Sequence, residues 1–257
     1  MSVPRIVGMI PARFASSRFP GKPLALVGGQ PMILRVVAQA LKSRSLEEVV
    51  VVTDDDRIRE TVEAAGFRAV MTSSDCFTGT DRVAEAVSRV AADWIVNIQG
   101  DEPFLEPQMI EQALGPLFEG PSVQVTTLMT GIREPGDRES RHTVKVVTDA
   151  QGDILCFSRN PVPFRRFPGG PLDIKQVGLY AFRRKALTSF ASWKPGPLER
   201  NESVELYRFL ENGWKVRGVL TSVRTVSVDT PEDLERVNRR FQTASPTRRE
   251  AGRCRMP

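Results

Sequence analysis

Short continuous apolar runs alternate with stretches whose apolar residues recur every three or four positions through the first half of the chain. Ile6, Val7, Met9 and Ile10 dominate residues 5–10, Val49-Val50-Val51-Val52 dominate 47–53, and 94–98 is a third run. Between them, Met32, Ile33, Val36, Val37, Ala40 and Leu41 predict a helix over 31–41, with Pro31 in its first turn. Helical spacing also covers 57–65 (Ile58, Val62 and Ala65 on one face), 80–91 and 106–118, and Asp54-Asp55-Asp56 reads as capping before Arg57. Strands apolar on both faces, separated by amphipathic helices, predict a parallel sheet covered on both sides.

The second half changes character. Residues 122–130, 143–148, 154–158 and 177–182 are strand-like but separated by Gly, Pro and Asp loops, which predicts an antiparallel section appended to the parallel core. Helices are expected over 185–193 and 197–212, the latter stopped by Gly213, followed by strands over 214–220 and 225–228. The last helix has a full start signal: Thr230 as N-cap, Pro231 as first helical residue, Asp233 as the reciprocal capping acid, then Leu234, Val237 and Phe241.

A chain of 257 residues can bury a real core as one large domain, expected here over 1–242. No apolar run approaches the ~20 residues of a membrane helix. The first five residues lead straight into a strand without a small-residue cleavage site, so no signal peptide is expected and the cytoplasm is the expected location. The formal charge of +5 would suit nucleic acid, but four arginines and one glutamate fall in 243–257, which reads as a disordered basic tail. The remaining residues carry 32 basic and 30 acidic groups, so no nucleic-acid partner and no membrane partner are expected. Cys76, Cys156 and Cys254 have no metal-ligand or disulfide spacing, and the single histidine, His142, excludes triads and His-rich zinc sites. Chemistry must come from carboxylates, cations, backbone and hard metal ions.

The first strand ends in a loop holding Arg13, Ser16, Ser17, Arg18, Gly21 and Lys22. Fixed cations among small residues with approachable N–H groups suit a polyphosphate, and strand ends are where such sheets bind ligands. A solvated basic loop is the plainer alternative. There is no G-x-G-x-x-G here, and no Walker loop: Ser16 stands where the first glycine belongs and Pro23 follows Lys22. After the 94–98 strand, Gly100 allows a turn that presents Asp101 to the same crevice. A carboxylate facing phosphates needs a divalent cation between them, and Mg²⁺ accepts one or two carboxylates plus phosphate oxygens. A capping role for Asp101 is the alternative. Thr78, Gly79, Thr80, Asp81 and Arg82 open a helix and suit a base or ribose, although capping alone would explain Thr80. Asp229 lies just outside the last helix and pairs with Asp101 as a two-carboxylate metal clamp.

These motifs resemble the CMP-Kdo synthetases (3-deoxy-manno-octulosonate cytidylyltransferases) over residues 3–241. The resemblance rests on the 10–24 loop, Thr78–Arg82, Asn97–Pro103, Val-Lys-Val-Val at 144–147, Phe157-Ser158-Arg159 and Val228–Leu234. It implies an α/β fold: a mostly parallel, Rossmann-like nucleotidyltransferase sheet with helices on both faces. The antiparallel section within 121–220 would hold a smaller sugar-binding and dimerisation part. It also implies a cytidylyltransferase that joins CMP from CTP to Kdo, releasing pyrophosphate for lipopolysaccharide synthesis, with Mg²⁺ as cofactor and a homodimer as assembly. Carried over residue by residue, Arg13 and Lys22 would meet the CTP phosphates. Ser17, Thr78, Gly79, Thr80, Arg82 and Gln99 would face the nucleotide, and Asp101 and Asp229 would hold Mg²⁺. Lys145, Arg159, Gln176, Tyr180 and Glu205 would line the sugar-acid pocket, Arg159 offering a fork for a carboxylate; core packing for Tyr180 and a solvated helix position for Glu205 are the alternatives.

Three positions depart from the family pattern. Gln176-Val177-Gly178 replaces His-Leu-Gly, Glu205-Leu206-Tyr207-Arg208 replaces Glu-Gln-Leu-Arg, and Cys76 stands where a histidine is usual. Two of these fall on the sugar side, and losing a hydrogen-bonding Gln there would cost ~1–3 kcal/mol if a sugar hydroxyl were left unpaired. A modified 3-deoxy-ulosonic acid such as 8-amino-Kdo is therefore the alternative acceptor, and a non-catalytic nucleotide-binding module the alternative class. A glycosyltransferase is disfavoured because no Asp-x-Asp motif lies in the right strand context.

Overall fold

The computed structural model describes residues 3–16, 18–164, 166, 173–224 and 226–244. In chain order, β1 (Ile6–Ala12) leads through a loop to the small hairpin β2 (Leu26–Val27) and β3 (Gln30–Pro31), then α1 (Met32–Ala40). Next come β4 (Glu48–Thr53), α2 (Asp56–Ala64), β5 (Arg68–Met71), α3 (Gly79–Ala86), β6 (Trp94–Ile98) and α4 (Pro107–Glu119). The second half contains β7 (Val125–Gly131), β8 (Lys145–Thr148), β9 (Ile154–Ser158), β10 (Ile174–Arg183), α5 (Arg184–Ser192), α6 (Pro197–Glu202), α7 (Tyr207–Glu211), β11 (Arg217–Leu220) and α8 (Pro231–Ala244).

The main sheet runs in the order β11-β7-β10-β6-β1-β4-β5, with β8 pairing to β10 and β9 to β8. β6, β1, β4 and β5 are mutually parallel. Chain order moves outward from β1 to β4 and β5, then returns to place β6 on the other side of β1. That reversal makes the carboxyl ends of β1 and β6 the switch point where such sheets hold ligands.

The four-valine run shows why strands here carry no polar face. Val49 and Val51 pack on one side with α1, α2 and α4, while Val50 and Val52 pack on the other with α3 and α5. Each fully buried valine of this kind contributes ~1.5–3 kcal/mol. In β1, Ile6 and Ile10 join the first cluster and Val7 and Met9 the second, as a period of two requires.

The antiparallel section forms as expected and continues the main sheet from the β6 edge: β10 pairs antiparallel with β6 and β7, while β11 lies parallel to β7. Several expected elements change. The helix expected over 197–212 breaks at Ser203, whose backbone is left-handed with φ 50°. Glu202 supplies the reason, because its carboxylate accepts from the Arg159 N–H at 2.7 Å and its carbonyl from Arg159 Nε at 2.5 Å. Arg159 thus caps the end of α6, and Tyr207 opens α7 separately. The strand expected over 225–228 does not form at 226–228; Val228 makes one cross-connection, donating to the Asp101 carbonyl at 2.9 Å. β5 was not anticipated, being short and half-polar at its start. The last helix starts as expected: the Asp233 N–H donates to Thr230 Oγ1 at 3.2 Å, and the Thr230 N–H to Asp233 Oδ2 at 3.1 Å. It continues to Ala244, into the stretch expected to be a tail; residues 245–257 lie outside those described.

Candidate active site

The loop after β1 turns on Gly21, whose φ of 72° belongs to the left-handed region, and an added Cβ there would meet the Phe14 ring at 3.1 Å. Glycine lets the chain fold over Phe14 and start a one-turn 3₁₀ helix at Lys22. At the end of β6, Gly100 lies so close to β1 that a Cβ would meet the Pro11 carbonyl oxygen at 3.0 Å. The two loops are therefore held edge to edge, and Asp101 faces Lys22.

Lys22 Nζ donates to Asp101 Oδ2 at 2.7 Å and to Asp229 Oδ1 at 3.2 Å. Arg18 Nη2 donates to the same Asp229 oxygen at 2.9 Å. Residues more than two hundred positions apart in sequence meet because Val228 is tied to the Asp101 carbonyl, while the Asp229 N–H donates to Asp233 Oδ2 at 3.0 Å. Asp101 is engaged by this ammonium rather than capping α4, where Glu106 occupies the N-cap position. Two carboxylates converging on one cation are a donor set suited to Mg²⁺ completed by phosphate oxygens. The neighbouring Glu102 is pushed up to about 8 by burial and by the negative Asp101 and Asp229.

This cluster lies in a cleft of 320 Å³ whose walls include Arg13, Lys22, Thr78, Gly79, Gln99 and Asp229. Arg13 is exposed at its rim, and Ser17 lies outside the described residues. Thr78, not Thr80, is the N-cap of α3, forming a reciprocal box with Asp81. Thr80 instead donates its N–H to Glu205 Oε2 at 3.0 Å, and its hydroxyl accepts from Asn97 Nδ2 at 3.0 Å. Arg82 reaches the cleft wall with a buried guanidinium that donates to Asp54 Oδ2 at 2.9 Å and Thr72 Oγ1 at 2.5 Å. Asp54 thus serves Arg82, and Asp55 alone caps α2, accepting from the Arg57 N–H at 3.0 Å. Gln99 packs its stem against Gly178, where a Cβ would come within 2.9 Å. Cys76 also lines the cleft, but its thiol is pushed up to about 12 by burial and by the Glu85 carboxylate, so it is no nucleophile.

The five residues expected on the sugar side form two groups. Tyr180 is buried beside Asn97 across the β10–β6 ladder and accepts from Gln176 Nε2 at 3.4 Å. Burial and the nearby Glu205 raise its phenol well above the usual value. Glu205 itself is raised by burial, partly offset by its bonds to Thr80 and Thr78. Gln176, Tyr180 and Glu205 therefore stand behind the Thr78–Thr80 wall. Lys145 and Arg159 form the second group. Lys145 is fully buried, and its Nζ donates to the carbonyls of Ser140, Thr143 and Arg159 at 2.8, 2.8 and 2.6 Å. Arg159 gives Nη1 to the Arg141 carbonyl at 2.9 Å and Nη2 to the Ser203 carbonyl at 3.3 Å. Lys145 commits all three of its donors to loop carbonyls, and each guanidinium nitrogen of Arg159 meets one. Leu206, the replacement for the usual glutamine, is fully buried in the apolar cluster with Tyr180 and Phe209.

Sequence reasoning did not place Arg18 on Asp229, nor the buried Arg208 between Asp81 and Glu199, with Nη1 to Asp81 Oδ1 at 2.7 Å and Nε to Glu199 Oε2 at 2.7 Å. Local spacing points to neither partner of Arg208: Glu199 lies nine residues earlier, before the break after α6, and Asp81 lies 127 residues earlier.

An open doubly wound sheet with a cation loop and two carboxylates at its switch point defines a nucleotide-binding α/β enzyme fold. The family model described as cytidylyltransferase matches residues 7–242. The chain is 49% identical over 243 residues to the 3-deoxy-manno-octulosonate cytidylyltransferase of Geobacter sulfurreducens, covering 90% of this chain and 97% of that one. It is 44% identical over 241 residues to the enzyme of that name from Solibacter usitatus, covering 93% and 96%. A solved structure of CMP:2-keto-3-deoxy-manno-octonic acid synthetase complexed with CTP superposes with a TM-score of 0.88 at 38% identity, covering 93% of this chain and 99% of that one. The chain belongs to the cytidylyltransferase family, within its 3-deoxy-manno-octulosonate cytidylyltransferase group.

Proposed function

We propose that this site transfers the CMP part of CTP to the anomeric hydroxyl of 3-deoxy-manno-octulosonate. The hydroxyl oxygen bonds to the α-phosphorus as its proton leaves, the bond to the β-phosphate oxygen breaks, and pyrophosphate departs with that electron pair. The observation that carries the reading is the convergence of Asp101 and Asp229 on Lys22 at the β1–β6 switch point. It is supported by 44–49% identity to relatives bearing that activity in their names.

In this reading Arg13 and Lys22 neutralise the triphosphate, and the Thr78–Gly79 wall with Gln99 holds the nucleoside. Asp101 and Asp229 would hold Mg²⁺, which when bound supplies charge neutralisation at the transferring phosphate. Positioning and charge account for most of such a transfer, so a chain with one histidine is adequate to it. Tyr180, Glu205 and Gln176 orient the acceptor, while Lys145 and Arg159 keep the loops around it in shape. Homodimer formation through the β8–β9 side is part of the same reading, supported by exposed Leu155, Phe164 and Leu198. A cytoplasmic role supplying lipopolysaccharide synthesis completes it; no helix among the described residues is long and apolar enough to cross a membrane.

The test is pyrophosphate release from each of the four nucleoside triphosphates with Kdo and Mg²⁺, repeated with 8-amino-Kdo and other 3-deoxy-ulosonic acids. Selective turnover of CTP with Kdo is expected. Release no faster than without enzyme refutes the reading, and preference for the amino sugar moves the acceptor assignment to the modified acid, which Gln176 and Leu206 would then explain.

A further inference from the structure

We propose that Lys22 is a built-in counter-ion that occupies the Asp101–Asp229 clamp in the free enzyme, so that a divalent cation settles there only after a triphosphate draws the ammonium away. The inference rests on the reading of the cleft as a nucleotide–magnesium site and adds to it an order of events.

The geometry is that of a cation already in place. Lys22 Nζ bridges the two carboxylates at 2.7 and 3.2 Å, and its side chain is only 14% exposed. Asp229 Oδ1 is shared with Arg18 at 2.9 Å, so two carboxylates are balanced by two cations. A divalent ion entering this arrangement gains no net negative partner and sits beside an ammonium that repels it. Remove the ammonium alone and the clamp carries a net negative charge again. Arg18 compensates less, because its side chain is 57% exposed and water screens it.

A triphosphate changes the balance. It brings several negative charges to the Gly21–Lys22 turn, and the lysine has a flexible four-carbon stem with a compact charged head that can exchange one anionic partner for another. As the ammonium moves to phosphate, the carboxylates lose their partner, and phosphate oxygens complete a magnesium coordination sphere that two carboxylates alone do not fill. Metal and nucleotide then favour each other's binding, and by linkage the factor is the same in both directions.

Mn²⁺ serves as the probe, its free concentration read by paramagnetic resonance in titrations of the full chain without sugar. Wild type is compared with Lys22→Gln, Lys22→Met and the double variant Lys22→Gln/Asp101→Asn. Both single variants are expected to bind Mn²⁺ alone at least about tenfold more tightly than wild type, and the double variant to lose that gain. In the wild type, a CTP analogue with a methylene bridge between the α- and β-phosphates is expected to tighten Mn²⁺ binding by at least about tenfold, and much less so in Lys22→Gln. Unchanged or weaker Mn²⁺ binding by both single variants overturns the proposal. So does equal Mn²⁺ affinity of the wild type with and without bound analogue, a measurement that needs no variant to fold. If the analogue fails to bind the wild type, the nucleotide reading falls by itself, and the exchange onto phosphate falls with it; tighter Mn²⁺ binding by the variants then still establishes Lys22 as the resident counter-ion.

Discussion

Arg208 ties α6, through Glu199, to the cap of α3 at the cleft wall, through Asp81, and removing its charge tests that connection. Its Nε and Nη2 meet the two oxygens of Glu199 at 2.7 and 2.5 Å, and its Nη1 meets Asp81 Oδ1 at 2.7 Å. The other oxygen of Asp81 accepts from the Thr78 N–H at 2.9 Å, closing the cap of α3. The guanidinium lies 3.8 Å from the centre of the Phe190 ring, so the site is apolar on one side. Arg208→Met keeps most of the stem volume but strips three charge-assisted bonds, leaving the Glu199 carboxylate, 1% exposed, without its fork. Breaking a buried pair in this way costs ~3–5 kcal/mol. At ~2–4 °C per kcal/mol for a chain of this size, the Tm should fall by roughly 6–20 °C. The double variant Arg208→Met/Glu199→Gln removes the stranded charge and should recover at least about half of the loss. Thermal and urea unfolding of the four members of the cycle measure this. CTP saturation kinetics should show KM rising more than kcat falls, because the cleft wall loosens while the Asp101–Asp229 pair stays intact. A single variant within ~1 kcal/mol of wild type, or a double variant no more stable than the single, would refute the reasoning.

Asp101→Asn and Asp229→Asn should each reduce pyrophosphate release by about a hundredfold or more while the far-ultraviolet dichroism stays unchanged. Lys145→Met leaves the carbonyls of Ser140, Thr143 and Arg159 without their shared donor, and at ~1–3 kcal/mol per unsatisfied buried group the urea midpoint should fall sharply. The Glu102 carboxyl is raised from 4.5 to about 8, so the folded metal-free chain holds a proton that the unfolded chain has released. Its contribution to stability is fully present below 4.5 and is lost as pH rises through about 8, with a slope of at most ~1.4 kcal/mol per pH unit. Unfolding titrations of wild type and Glu102→Gln across that window should differ in slope; parallel curves would rule the group out.

The parallel half was legible because its residues act locally. Four consecutive valines admit few places other than a strand buried on both faces, and Thr230-Pro231-Glu232-Asp233 specifies a helix start whatever lies around it. The 94–98 strand and the Asp101 turn follow from the same logic. What escaped was set at long range. Residues 197–212 have uninterrupted helical spacing, and only the bonds from Arg159 to Glu202 end α6 early. The insertion of β10 between β6 and β7 depends on pairing across more than forty residues, which no local pattern records. The backbone bonds of Lys145 and Arg159 were not legible in the sequence either. A lysine and an arginine in polar company read as ligands for an acidic sugar; in the fold Lys145 donates to carbonyls 2, 5 and 14 residues away and Arg159 to carbonyls 18, 43 and 44 residues away.

That difference separates two groups of side chains by how their donors are committed. In the group proposed to meet the acceptor, Lys145 has all three donors committed and Tyr180 is buried against β6, so in that reading the region would be arranged before a ligand arrives. In the group proposed to meet the nucleotide, Arg13 and Arg18 are exposed on one loop, and Lys22 is held by Asp101 and Asp229. The anchors of these loops are close-packed: Gly21 lies on Phe14, and Gly100, next to Asp101, lies against Pro11 of β1. In the proposed exchange, close-packed anchors would let charge be re-paired without refolding the backbone, so the cost of admitting a triphosphate would fall on rotamers of Arg13, Arg18 and Lys22. A sheet whose switch point lies between two loops in contact is what makes this arrangement possible.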